Sequence, residues 1–285
     1  MLRSLVPDFC LFPEHGCKIQ FNRILQPFLF LLVTLVFLCS LCVFFQIVML
    51  SSQINKRIGQ AMHDYSMLND GDQVLVAVSG GIDSLVLAWL LNHWQKKAPV
   101  KYGLRAVHID MDIWDQEMNV PSPVSQVKEQ MRLIGLPVYI EKSLPFNEED
   151  RSCFSCSKLR RKQLFDLARQ FKCNRIAFGH HKDDLLETLF INMFYSGNIS
   201  TMVPLQELFS GRLSVIRPLA YIEKRELEEI AGKVGLTAVN NLCPLAGDTK
   251  REKVQKMLQD IYEQIPGAKA SLFASMKNVR EGYML

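Results

Sequence analysis

The sequence predicts an α/β fold: an open parallel sheet with helices on both faces, a helical C-terminal region and an apolar N-terminal extension. Three observations carry this reading. Beyond Met49, short apolar runs alternate with amphipathic stretches of about ten or more residues, the pattern of parallel strands joined by crossover helices. A Gly-Gly loop follows the first apolar run directly and opens a helical stripe. The composition, 48% hydrophobic and 22% charged, is that of a globular chain and excludes disordered, collagen-like and low-complexity classes.

Taken in order, residues 1–48 form the extension. Residues 27–50, PFLFLLVTLVFLCSLCVFFQIVML, carry no charge over a length that fits a membrane helix and exceeds a signal-peptide core. Met49 begins an amphipathic stretch, so 1–48 reads either as a membrane anchor or as an upstream extension from a mis-called start. Cys39 and Cys42 form a C-x-x-C here and read as apolar filler. Ile54, Ile58, Met62 and Tyr65 make a helical stripe over 51–68. QVLVAV (73–78), after the turn cluster Asn69-Asp70-Gly71-Asp72, reads as a buried strand. A helix over 82–94, a strand over 104–109, a helix over 124–134 and a strand over 138–141 follow. Then come a helix over 158–171, a strand over 175–178 and a helix over 185–195. Helices over 223–234, 250–264 and 269–278 make the C-terminal region. The expected organisation is a nucleotide-binding domain over 49–221 and a helical region over 222–285.

The loop Ser79-Gly80-Gly81-Ile82-Asp83-Ser84 stands between the first strand and its helix. Paired glycines let backbone N–H groups approach an anion, and the helix N-terminus adds partial positive charge. Ser79 and Ser84 can donate to phosphate oxygens, and Asp83 can hold a metal or cap the helix. The Walker A pattern is absent. The SGGxDS pattern is the signature of the PP-loop ATP pyrophosphatases, which this loop resembles.

Eight cysteines are too few for a secreted disulfide scaffold. Cys153-Phe154-Ser155-Cys156, at the start of a helix, precedes Lys158, Arg160, Arg161 and Lys162, and a lone C-x-x-C fits zinc, iron–sulfur or redox use. Cys173 reads as an inert thiol; Cys243 sits in a turn-rich loop. Three thiolates suit a 4Fe-4S cluster with one iron open, although most clusters take four. The basic run favours thiolates and suits a nucleic-acid backbone; the net charge of +4 permits a polyanionic partner without demanding one.

SGGIDS, CFSCSKLRR, GHHKDDLLETLFINMFYSG, IRPLAY and NNLC, in this order from about Ser51 to Lys277, resemble the tRNA 2-thiocytidine synthetase family. The resemblance implies ATP, magnesium and a three-cysteine 4Fe-4S cluster as cofactors. It implies Cys153, Cys156 and Cys243 as cluster ligands. It also implies Ser79, Gly80, Gly81, Asp83 and Ser84 as the ATP loop, and Asp183 and Asp184 as an acidic pair near the nucleotide, with Gly179 opening their motif. Two departures stand out: Ile82 occupies a loop position where the family usually has Lys, and Pro244 follows Cys243 where Gly is usual.

The chemistry is consistent. Adenylating a base carbonyl oxygen turns it into a good leaving group, AMP, which a sulfur nucleophile displaces. Arg160, one helical turn after Cys156, can face the thiolates. His108 and Asp110 end a strand on the binding rim, where His108 can meet adenosine. His180 and His181 read either as ligand contacts or as local caps, and Arg217 as a site residue or a structural ion pair. The expected partners are tRNA and a sulfur donor such as a cysteine desulfurase, with a homodimer and membrane contact through 27–50 both open. The expected location of everything after Leu50 is the cytoplasm. Two other readings are open: a PP-loop sulfurtransferase using a cysteine persulfide, and a non-catalytic zinc- and nucleotide-binding module.

Overall fold

The computed structural model describes residues 50–111, 122–145, 152–239, 243 and 249–283. The apolar segment before Leu50, with Cys39 and Cys42, lies outside them; among the described residues no helix is long and apolar enough to cross a membrane.

Helix α1 (Ser52–Asp64) is capped by the Ser51 hydroxyl, which accepts from the Ile54 N–H, and it buries Ile54, Ile58 and Ala61. It stops short of the expected Leu68 because Ser66 turns at φ 46°, dropping Met67 and Leu68 into the core. In β1 (Gln73–Ala77), Val74 and Val76 enter one core layer while Leu75 and Ala77 enter the other. A strand buried on both faces must read as a continuous apolar run, which this one does. There follow α2 (Ile82–Gln95), β2 (Gly103–Asp110), α3 (Pro123–Ile134) and β3 (Val138–Lys142).

Helix α4 (Cys153–Gln170) starts at the C-x-x-C, as that motif's expected placement has it, ahead of the periodic stretch expected from Lys158. The Ser152 hydroxyl accepts from the Ser155 N–H at 3.1 Å, while Ser155 Oγ accepts from the Ser152 N–H at 3.0 Å. This reciprocal cap winds Cys153 and Cys156 into the helix. Then come β4 (Arg175–Ala177), α5 (Lys182–Ser196), β5 (Leu205–Leu208), β6 (Leu213–Ile216), α6 (Lys224–Val234), α7 (Lys250–Gln264) and α8 (Ala268–Ser275).

The sheet order is β3-β2-β1-β4-β6-β5, with β5 antiparallel to β6 and every other pairing parallel. The β5–β6 hairpin is absent from the sequence reading. Its strands are four residues each, and β5 exposes Gln206 and Glu207, so neither long apolar run nor clean alternation marks it. Helices α1, α2, α3 and α6 share one core layer; α4 covers the other face, and α5 packs with α7 and α8. Strand order reverses between β1 and β4. The loops leaving their carboxyl ends therefore flank the crevice where open α/β sheets bind ligands.

Candidate active site

Ser79–Ser84 leaves β1 and enters α2 around one hydroxyl. Ser84 Oγ accepts from the Ser79 N–H and the Ser79 hydroxyl, both at 3.1 Å, and donates to the Gly81 carbonyl at 2.8 Å. The two serines thus set the loop's shape. The N–H groups of Gly80, Ile82 and Asp83 have no hydrogen-bond partner among the described residues and stand at the start of α2. Such a set of unpaired donors at a helix N-terminus is suited to an anion. Gly80 is at φ 92°, and a Cβ there would lie 3.0 Å from Val239 Cβ.

Gly179 brings the β4–α5 turn onto this loop. A Cβ at Gly179 would lie 2.8 Å from the Asp83 carbonyl carbon and 2.9 Å from the Ser84 nitrogen, so two backbones touch where no side chain fits. Just beyond, His181 gathers three carboxylates: Asp83 at 3.9 Å, Asp183 at 3.5 Å and Asp184 at 3.3 Å. The structure therefore joins Asp83 to Asp183 and Asp184, about a hundred positions further along the chain, in one acidic site. Each carboxylate is matched by a cation. Lys224 Nζ is 2.7 Å from Asp83, Lys269 Nζ is 2.6 Å from Asp183, and Arg251 is 3.0 Å from Asp184 and 2.8 Å from Glu187. The Lys224 N–H also donates to Asp183 at 2.9 Å.

Burial alone would raise the Asp183 carboxyl, but its bonds from His181, Lys269 and the Lys224 backbone hold it well below the usual carboxylate range. Burial likewise opposes charge on His181, yet the surrounding carboxylates win and its pKa rises above 6.5. Lys224, Lys269 and Arg251 were missed by the sequence reading. Their one signal is position: Lys224 and Arg251 sit in the first turns of α6 and α7, where cations oppose the helix dipole and need another reason to be there.

His108 is buried at the end of β2, its Nδ1 2.8 Å from the Val78 carbonyl, so the ring ties β2 to the residue just before the loop. Burial lowers its pKa, opposed by the Val78 bond and the Asp110 charge, and the positive charge of Arg160 on α4 lowers it further. Cys153 is exposed at the start of α4, while Cys156 and Cys243 are half-buried. Among the described residues no three His, Cys, Asp or Glu side chains stand together as a ready-made metal site, and the neighbours of Cys243 (240–242 and 244–248) lie outside them. The donor set itself suits an iron–sulfur cluster: two thiols a turn apart at an exposed helix start, and a third on a loop. Cys173 does not join it. It packs in the core beneath α4, and burial pushes its thiol pKa up.

A parallel sheet with an anion-cradling loop and an acidic cluster at its switch point defines a PP-loop nucleotide-binding protein, and the PP-loop domain family model matches residues 50–254. Within that class the chain belongs to the tRNA-cytidine(32) 2-sulfurtransferase family. It is 34% identical over 239 residues to the tRNA-cytidine(32) 2-sulfurtransferase of Hahella chejuensis, covering 81% of this chain and 82% of that one. It is 35% identical over 242 residues to that of Geobacter sulfurreducens, covering 82% and 92%. The fold is also that of the U34-tRNA thiolase NcsA from Methanococcus maripaludis with its 4Fe-4S cluster, at TM-score 0.65, 23% identity and 81% coverage of each chain.

Proposed function

We propose that the protein is an ATP-dependent tRNA thiolase that replaces the C2 oxygen of an anticodon-loop cytidine with sulfur, as its family relatives are named for doing. The observation that carries this is the meeting of the unpaired N–H groups of Gly80, Ile82 and Asp83 with the Asp83–Asp183–Asp184 cluster at one rim. The donors bind the phosphates of ATP; Asp83, Asp183 and Asp184 are the carboxylates that would hold Mg2+, which would supply charge neutralisation at the phosphates. The cytidine carbonyl oxygen attacks the α-phosphorus and pyrophosphate leaves. Sulfur then adds at C2 and AMP departs with the oxygen.

Preorganised donors at the helix start stabilise charge that builds on pyrophosphate. Arg160, on the helix that carries Cys153 and Cys156, and His108, at the end of β2, are the further residues assigned to this rim. Cys153, Cys156 and Cys243 would hold a 4Fe-4S cluster, the group found in the structurally similar NcsA, which supplies an open iron for sulfur. A cysteine desulfurase is the fitting sulfur source. The test is reconstitution of the anaerobically purified protein with ATP, Mg2+, sulfide and tRNA, followed by nucleoside mass spectrometry. Appearance of 2-thiocytidine with AMP and pyrophosphate supports the reading. ATP turnover without any thiolated nucleoside overturns it. Full thiolation by colourless, iron-free protein would mean that sulfide displaces AMP at C2 without the cluster; a persulfide route would instead require cysteine and a cysteine desulfurase in place of sulfide.

A further inference from the structure

Every cation of the acidic site has its carboxylate, but a second group of basic side chains one strand away has none. Arg217 is only 6% exposed. One guanidinium nitrogen donates to the Val203 carbonyl and the backbone N–H donates to Pro204 at 2.9 Å, while Nε has no partner. No carboxylate pairs with it among the described residues, so the structural ion pair is not there. A buried guanidinium without a counter-ion is costly and calls for a ligand that supplies one.

His180 Nδ1 is likewise buried and unpartnered. The two residues leave adjacent parallel strands: Ala177 of β4 faces Ile216 of β6, and the Phe178 N–H donates to the Ile216 carbonyl at 3.0 Å. Both therefore emerge at the same carboxyl rim. Arg161, exposed on α4, bears on both. Burial first, then Arg217, Arg251 and other nearby positive charges, pushes the His180 pKa down to about 3, so the ring is neutral at pH 7 and can offer an N–H. Burial and Arg161 push Arg217 down to about 10, so it remains charged.

We propose that Arg217 and His180, with the positive charge of Arg161 alongside, form a second phosphoryl-binding subsite, distinct in its residues from the loop 79–84 and on the same rim, that takes a phosphate monoester or pyrophosphate. The near-complete burial of Arg217 favours a small phosphate over the backbone of an RNA. The proposal rests on the reading above only in choosing a phosphoryl group as the anion.

The experiment follows thermal unfolding of the full-length protein in phosphate, pyrophosphate, AMP or tRNA, each against chloride at equal ionic strength. A saturable rise in Tm with a small phosphate is expected. Arg161→Gln weakens that response about tenfold, the worth of one charge-assisted hydrogen bond. Arg217→Met abolishes it and melts no lower than wild type without ligand, because a buried unpaired charge has gone. Arg161 is exposed, so its variant folds even where Arg217→Met does not. The proposal is overturned by a wild-type Tm indifferent to small phosphates, by a response to tRNA alone, or by an undiminished response in Arg161→Gln. Failure of the nucleotide reading looks different: ATP does not engage the loop, while the phosphate response through Arg217 persists.

Discussion

The ammonium of Lys224 stands 2.7 Å from the carboxylate of Asp83, joining the start of α6 to the loop after β1 across 141 positions. The loop Ser79–Ser84 contains no basic residue, Ile82 included, so Lys224 supplies its cation from outside. Lys224→Gln leaves Asp83 facing the incoming phosphates with less compensation. It is expected to weaken ATP binding about tenfold while leaving adenosine binding unchanged. Because Lys224 is partly exposed, its Tm should move little. Equilibrium binding of the two ligands checks this; equal ATP affinity in the variant would refute it.

Gly179→Ala tests the contact between the β4–α5 turn and the loop. The new methyl would press on backbone at 2.8–2.9 Å, costing about 1–3 kcal/mol and displacing the ATP loop. Gly232→Ala in α6, where a Cβ meets nothing within 4 Å, should instead stabilise by about 0.5–1 kcal/mol. Urea unfolding of both variants decides whether crowding or chain stiffness is at issue.

The two adjacent histidines should give stability opposite slopes with pH. His180 is neutral in the fold with a pKa of about 3, while the unfolded chain takes a proton near 6.5. Its contribution is full above 6.5 and declines as pH falls towards 3. His181 has a raised pKa, so its contribution is full below 6.5 and is lost as pH climbs through the folded-state value. Asp183, depressed below 3.8, contributes above that value and loses its share in stronger acid. His180→Gln is expected to flatten the decline between pH 6.5 and 3, and His181→Gln the decline above 6.5. A wild-type slope in either variant, measured by urea titration across pH, contradicts the assignment.

Serine at Cys153, Cys156 or Cys243 should each remove both iron and thiolation. Cys173→Ser should keep both, since that thiol packs in the core away from the rim. Iron, acid-labile sulfide and visible absorption of anaerobically purified variants provide the measurement. Retention of a full cluster without Cys243 would assign the third ligand elsewhere.

The legible parts of this molecule are those written in contiguous residues. Gln73–Ala77 announces a doubly buried strand, Ser79–Ser84 an anion loop, and helix α7 falls on its expected bounds. The C-x-x-C marks the start of α4, but the reciprocal cap of Ser152 and Ser155 that sets it leaves no trace in hydrophobic periodicity, because the first turn buries no apolar residue. The β5–β6 hairpin was overlooked for its short, half-polar strands. Lys224, Lys269 and Arg251 reach the acidic cluster from helices whose docking depends on the whole sheet, so no local pattern marks them. Arg217 stood in view, but its lack of a counter-ion is a property of the fold alone.

Lys269 lies on the last α-helix, yet it holds Asp183 beside the loop that follows the first strand. During synthesis the sheet can form strand by strand while that carboxylate still waits for its partner. The nascent chain is therefore without a finished acidic site until α8 has emerged from the ribosome and docked. A chain cut between α7 and α8 keeps every strand of the sheet yet lacks the lysine that pairs with Asp183, so the sheet and the finished site are separable.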